Sequence, residues 1–193
     1  MKILSGYLKG RQVHFKPSQT LRPTADVVRK AIFDTLQGAL EGKRVLDVFS
    51  GTGAMGFEAL SFGASEVLWV EAEREQTASI EKTIQALGLD SVGRVIHSDA
   101  FKVIESLGRH GESFDLIFLD PPYHQGLGQR AVGLIARLGL CRAGGFVILE
   151  THKTEDPPEI VGNLKTVKTK KHGDTKITYY RESEGCLQKP DSS

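Results

Sequence analysis

Residues 45–56, Val45-Leu46-Asp47-Val48-Phe49-Ser50-Gly51-Thr52-Gly53-Ala54-Met55-Gly56, decide the fold. An apolar strand runs straight into G-x-G-x-x-G, and a helix-forming stretch follows. In such a unit the glycines let the backbone approach a ligand, and the helix N-terminus presents unpaired N–H groups. The next apolar run, Val67–Glu71, ends in an acid 20 residues after Gly51. At that spacing a carboxylate can accept hydrogen bonds from both hydroxyls of a ribose.

Outward from this loop, strands and helices alternate. Strands are expected at 44–49, 67–71, 94–97, 114–119 and 145–150, with helices near 53–62, 74–87, 100–107 and 126–138. Short apolar strands such as Leu116-Ile117-Phe118-Leu119 suit a parallel sheet covered on both faces. The pattern predicts an α/β fold, a Rossmann-like doubly wound sheet of seven strands. After Pro157-Pro158, strands at 164–171 and 176–181 flank His172-Gly173-Asp174 and close the sheet as an antiparallel hairpin. Ahead of the glycine loop, Ile3 to Phe15 reads as a small β-hairpin turning near Lys9-Gly10. A helix capped by Thr24 follows, with Val28, Ile32, Leu36 and Leu40 as its core stripe. The expected division is an N-terminal extension (1–41), a main domain (42–184) and a polar tail (185–193).

Composition narrows the class. With 193 residues, 39% hydrophobic and 25% charged, the chain has the make-up of one globular domain, not of a disordered or disulfide-rich one. Cys141 and Cys186 lack metal-type spacing and the six histidines show no H-x-x-x-H, so no metal site is expected. Apolar runs are strand-sized and no leader-like run opens the chain, so a cytoplasmic, monomeric protein away from membranes is expected. A net charge of +1 hides an asymmetry: residues 1–30 carry seven Lys/Arg against Asp26 alone. A second basic run, Lys165 to Arg181, holds six Lys/Arg against Asp174. Such segments form a nucleic-acid footprint if they meet in space. Lys9, Arg11, Arg22 and Arg29 are the candidate nucleic-acid contacts, on the expectation that the opening hairpin and helix cover the carboxyl edge of the sheet.

The glycine loop alone fits NAD as well as S-adenosylmethionine. Asp47, four residues before Gly51, tilts the choice. It would repel a pyrophosphate, whereas a sulfonium and an ammonium welcome a carboxylate. The candidate cofactor residues are Asp47, Ser50, Gly51, Thr52, Gly53, Glu71 and Ala72, joined by Asp99, Ala100 and Phe101 after the third strand. Asp99 is placed to accept an adenine amino group, or to cap a helix, and Phe101 to cover the ring.

The fourth strand ends in Asp120-Pro121-Pro122-Tyr123, the sharpest signal in the chain. An exocyclic amine on a nucleobase is a poor nucleophile because its lone pair is delocalised into the ring. To attack a methyl group it must be held in line while losing a proton. Asp120 and the carbonyl of Pro121 can accept its two hydrogens, and those bonds strengthen as positive charge develops. The prolines stiffen the loop without competing N–H donors, and Tyr123 offers a face for an extruded base.

The two motifs together resemble the amino-methyltransferases that use S-adenosylmethionine. Ser5-Gly6, Lys9-Gly10-Arg11, Leu21-Arg22-Pro23-Thr24-Ala25-Asp26-Val27-Val28-Arg29, Ala31-Ile32-Phe33 and Tyr179-Tyr180-Arg181 extend the resemblance over nearly the whole chain. In these the sequence is similar to the bacterial small-subunit rRNA guanine-N2 methyltransferases of the RsmD type. Thr83 stands where relatives commonly have Asn. The resemblance implies a class I methyltransferase fold and methyl transfer to N2 of one guanine in 16S rRNA, within the small ribosomal subunit or an assembly intermediate. A DNA amino-methyltransferase acting on adenine N6 or cytosine N4 shares the Asp-Pro-Pro-Tyr loop, but 193 residues leave no room for a target-recognition domain. A non-catalytic RNA binder would not need Asp120, Gly51 and Gly53, and the Pro-Pro loop disfavours a hydride-transfer enzyme.

Overall fold

The computed structural model describes residues 1–16, 26–36 and 38–182. Helix α1 (Asp26–Thr35) precedes the alternating unit β1 (Arg44–Val48), α2 (Ala54–Ser61), β2 (Glu66–Glu71), α3 (Arg74–Leu87), β3 (Gly93–His97), α4 (Ala100–Arg109), β4 (Phe114–Leu119), α5 (Leu127–Leu138) and β5 (Cys141–His152). The chain then adds β6 (Ile160–Val161), β7 (Leu164–His172) and β8 (Thr175–Glu182). All lie in one sheet of order β3-β2-β1-β4-β5-β8-β7-β6. Strands β1 to β5 pair in parallel, and β8, β7 and β6 continue antiparallel. The seven expected strands are present, and the two-residue β6 is an unforeseen eighth, following Pro157-Pro158.

The strand order reverses between β1 and β4. Beyond the carboxyl ends of strands at such a switch point, an open α/β sheet receives its ligand. One face of the sheet is covered by α1, α2 and α3 through Ile32, Phe33, Phe57, Ile80 and the buried Trp69, Phe118 and Ile148 beneath them. The other is covered by α4 and α5 through Phe101, Ile104, Val132 and Ile135. Val28, Ile32, Leu36 and Leu40 are all 5% exposed or less, so the stripe is core. Cys141 is buried in the second cluster. Among the described residues no helix is long and apolar enough to cross a membrane.

The opening segment differs from its expectation in extent and in place. It closes through a single antiparallel bridge, Lys2 to Gln12, rather than a two-stranded hairpin. Its turn docks on the end of α2, where Tyr7 N–H donates to the Ser61 carbonyl (2.8 Å) and Leu8 N–H to Ser61 Oγ (2.9 Å). Gly6, at φ 76°, approaches so closely that a Cβ there would lie 2.0 Å from the Ser61 carbonyl oxygen. That end of α2 lies at the amino edge of the sheet, since Gly42 N–H, just before β1, donates to the Gly63 carbonyl (2.9 Å). Lys9 and Arg11 are exposed beside this edge, not over the carboxyl edge as expected. The reason is that α2 runs back from the glycine loop and the segment follows its far end. From there the chain climbs α3: His14 N–H donates to Thr83 Oγ1 (3.0 Å), and the Lys16 carbonyl accepts from Gln76 Nε2 (2.7 Å).

Arg29 is also corrected. It is 1% exposed, with Nε 3.1 Å from Glu58 Oε1 and Nη2 bonding Asp26 Oδ1 (3.0 Å) and the Lys2 carbonyl (3.1 Å). It binds α1 to α2 and to the opening segment, and has no surface to offer RNA. Arg22, Thr24, Cys186 and the tail lie outside the described residues.

Candidate active site

At the exit of β1 the chain reverses into α2 through left-handed residues, with φ 60° at Phe49, 51° at Gly51 and 73° at Gly53. Ser50 fixes this turn: its Oγ bonds the Asp47 carbonyl (2.6 Å) and accepts Val70 N–H (3.0 Å). Its side chain therefore serves the scaffold. Two glycines face inward. A Cβ on Gly56 would lie 2.2 Å from Trp69 Nε1, and one on Gly53 would meet Ile80, Phe57 and Trp69 at 3.0–3.1 Å. Trp69 Nε1 itself donates to the Gly53 carbonyl (3.0 Å), so the indole under the loop sets its height.

Asp47 lies beneath the loop, 2% exposed, and its Oδ2 accepts Gly56 N–H (3.0 Å). Burial pushes its pKa up to about 8, against the pull of the Gly56 N–H, with the charge of Glu71 adding to the rise. Thr52 is likewise buried. Glu71, at the end of β2, spans the loop and the start of α3: Oε2 accepts Gly51 N–H (2.6 Å) and Oε1 accepts Glu73 N–H (2.7 Å). Its carboxylate is thereby fixed at the carboxyl edge. Ala72 is exposed, and its carbonyl meets His97 Nε2 at 3.0 Å. Asp99 caps α4 by accepting Lys102 N–H (3.0 Å), and Ala100 is buried in that helix's first turn. The Phe101 ring meets Phe49 edge-on at 6.1 Å, and the Arg130 guanidinium of α5 stands 3.9 Å above it. Part of the surface foreseen for adenine is thus taken by Arg130.

The Asp-Pro-Pro-Tyr loop leaves the neighbouring strand. Asp120 N–H reaches the Val48 carbonyl at 3.5 Å, keeping the loop beside β1. Pro121 is buried and Pro122 exposed. The β4–β5 register, Leu119 opposite Leu149, continues to set Asp120 beside Glu150. Asp120 and Glu150 line a small cavity together with Ile32, Met55, Phe118, Leu119 and Ile148. The Tyr123 hydroxyl donates to Glu150 Oε1 (2.7 Å) and lies 3.2 Å from Thr175 Oγ1, which fixes the ring's direction. Burial, followed by the nearby charge of Glu150, raises its pKa well above the usual phenol value, so it stays a donor. Burial also raises the pKa of Glu150, opposed by the hydroxyls of Tyr123 and Thr175.

His124, φ 60°, holds its ring 4.7 Å from that of His152, which lies 5.8 Å from Tyr123. Phe49 and His124 are the two non-glycine residues with positive φ among the described ones, and they flank this site. Backbone strain of that kind gathers where geometry is dictated by function. Sequence reading missed Glu150, Thr175, His152 and Arg130. Glu150 carried one legible signal, an acid directly after the apolar run Phe146–Leu149 just as Asp120 directly follows Leu116–Leu119. Among the described residues no group of three His, Cys, Asp or Glu is placed to hold a metal.

The arrangement pairs the glycine-loop cradle after β1 with the Asp-Pro-Pro-Tyr loop after β4, on adjacent strands. Similarity to known proteins bears on it. The solved structure of Escherichia coli yhhF superposes with a TM-score of 0.83 at 26% identity, covering 96% of this chain and 99% of that one. The Thermus thermophilus 16S rRNA N2 G1207 methyltransferase, solved with AdoMet and guanosine, shares the fold, with a TM-score of 0.70 at 23% identity over 94% of this chain and 49% of that one. The ribosomal RNA small subunit methyltransferase D of Haemophilus influenzae is 31% identical over 182 residues, which is 94% of this chain and 92% of the relative. The family described as conserved hypothetical protein 95 matches residues 1–181, and the chain belongs to it.

Proposed function

We propose that this protein transfers a methyl group from S-adenosylmethionine to the exocyclic N2 of a guanine in the 16S rRNA of the small ribosomal subunit or its assembly intermediate. The observation that carries this is the side-by-side exit of the glycine loop and Asp120-Pro121-Pro122-Tyr123 from β1 and β4 at the switch point. The cradle fits the cofactor's charge. Residues 45–73 contain no Lys or Arg to meet a pyrophosphate, and a sulfonium or ammonium brought near the buried Asp47 favours the ionised form of its carboxyl.

When bound, S-adenosylmethionine supplies an electrophilic methyl group on a sulfonium. Glu71, fixed by Gly51 and Glu73, holds the ribose, and the loop backbone holds the remainder. Asp120 and the Pro121 carbonyl accept the two hydrogens of N2, turning its lone pair toward the methyl carbon. On transfer, the carbon–sulfur bond would leave its pair on sulfur as the nitrogen–carbon bond forms, and the positive N2 would pass one proton through the Asp120 carboxylate to water. Asp120 stabilises that charge more than it stabilises the neutral amine. Tyr123, oriented by Glu150 and Thr175, supports the face of the extruded base.

The RNA lies across the carboxyl edge toward β7, whose Lys168 and Lys171 are exposed and make no ion pair among the described residues. Transfer of radiolabelled methyl to small subunits lacking the modification tests the reading, with duplex DNA as the competing substrate. Label in the RNA alone is expected, and label in DNA alone would overturn it.

A further inference from the structure

Asp120, the residue after β4, and Glu150, two residues before the end of the adjacent parallel β5, stand side by side by continuation of the Leu119–Leu149 register, on strands about 4.8 Å apart, and both residues line one cavity. The Watson–Crick edges of the bases differ in what stands beside the amine. In adenine and cytosine the neighbouring ring nitrogen is a bare acceptor. In guanine it is N1–H, a donor. Two neighbouring acceptor carboxylates therefore match guanine, one taking an amine hydrogen and the other the ring hydrogen.

Glu150 has the environment for the second role. It is 8% exposed, its partners are the neutral hydroxyls of Tyr123 and Thr175, and no Lys or Arg is ion-paired with it among the described residues. Lys176, on the strand paired with β5, turns its ammonium to Asp156 instead (2.6 Å). A buried carboxylate so placed keeps acceptor capacity for an N–H donor, and a base presenting a lone pair there would leave both groups unpaired.

We infer that Glu150 is the residue that selects guanine, its carboxylate accepting N1–H while Asp120 holds N2. This rests on the proposed methyl transfer and names what makes that site specific. Its second contact, with Tyr123, ties the base-supporting ring to the base-reading group.

The test uses small subunits whose target guanine, first mapped by mass spectrometry after wild-type treatment, is replaced with 2-aminopurine by RNA ligation and reconstitution. That base keeps the N2 amine but presents a bare N1. Wild type should methylate it with kcat/KM at least about 100-fold below guanine. Glu150→Gln should lose about 100-fold on guanine and bring the two bases within about tenfold, because its amide can turn an N–H toward bare N1. Tyr123→Phe, which removes only the hydroxyl bond, should keep the wild-type preference. Equal rates on both bases with wild type would overturn the inference, as would a Tyr123→Phe variant that loses the preference just as Glu150→Gln does. Should Glu150→Gln not fold, the wild-type comparison decides alone. Absence of transfer by wild type to unaltered subunits would instead overturn the proposed function.

Discussion

Replacing Arg29 with Met separates a buried tether from an RNA contact. The substitution keeps the apolar stem but removes the guanidinium that faces Glu58 at 3.1 Å, both side chains being 2% exposed or less. Glu58 then keeps the Leu4 N–H (2.7 Å) but loses its cation. Deleting one partner of a buried pair typically costs about 3–5 kcal/mol, because the other charge is left uncompensated. For a chain of this size that is a fall of roughly 6–20 °C in melting temperature. The pH dependence carries a sign. Burial already raises the pKa of Glu58, opposed by Leu4 and Arg29, and the variant raises it further. A raised carboxyl pKa gives stability that is complete below the unfolded value and lost as pH rises through the folded one. The deficit of Arg29→Met should therefore be smaller near pH 5 than near pH 8. Urea unfolding followed by circular dichroism at both values measures it. In the double variant Arg29→Met/Glu58→Gln the losses should be less than additive. An unchanged urea midpoint with weakened RNA binding would refute the assignment and return Arg29 to the surface.

Three further outcomes follow from the geometry. Gly53→Val should destabilise the fold by about 2 kcal/mol or more, since it strains a residue at φ 73° and drives a Cβ against Ile80, Phe57 and Trp69; an unchanged urea midpoint with cofactor binding abolished would mean the side chain meets the ligand instead. Asp47→Asn should flatten the stability profile between about pH 4 and pH 8, because the acid's raised pKa makes wild type lose stability across that window; parallel urea midpoints for the two proteins would contradict this. Lys168→Ala/Lys171→Ala should lower the salt slope of RNA binding by about 0.7 per lost contact on single strands and leave S-adenosylmethionine binding intact, whereas Lys9→Ala/Arg11→Ala, at the amino edge, should change that slope less; the reverse ranking in a salt titration would restore the opening segment as the docking surface.

What the sequence disclosed follows the range of each interaction. The glycine loop, Glu71 and the Asp-Pro-Pro-Tyr loop are local patterns, and each lies at the strand end where it was expected. The antiparallel close was legible because Gly173-Asp174 is a two-residue turn between alternating strands, His172 pairing with Thr175. Residues whose role depends on a distant partner were not legible. Arg29 reads as one cation of a basic run until Glu58, 29 residues on, is found opposite it. Lys9 and Arg11 were misplaced because their position is set by Gly6 against Ser61, a contact no spacing announces. Glu150 needed the register of two strands separated by a whole helix. Asp47 and Ser50 carry the spacing of cofactor residues, yet their side chains brace the loop from below.

The most direct test of the central claim is the identity of the methylated nucleoside. Small subunits lacking the modification would be treated with wild type or Asp120→Ala and S-adenosylmethionine, and their RNA digested for mass spectrometry. Wild type should yield N2-methylguanosine. Asp120→Ala should yield it roughly 100- to 1,000-fold more slowly while binding S-adenosylmethionine normally in calorimetry. A product methylated on adenine or cytosine, or an Asp120→Ala variant as fast as wild type, would contradict the account.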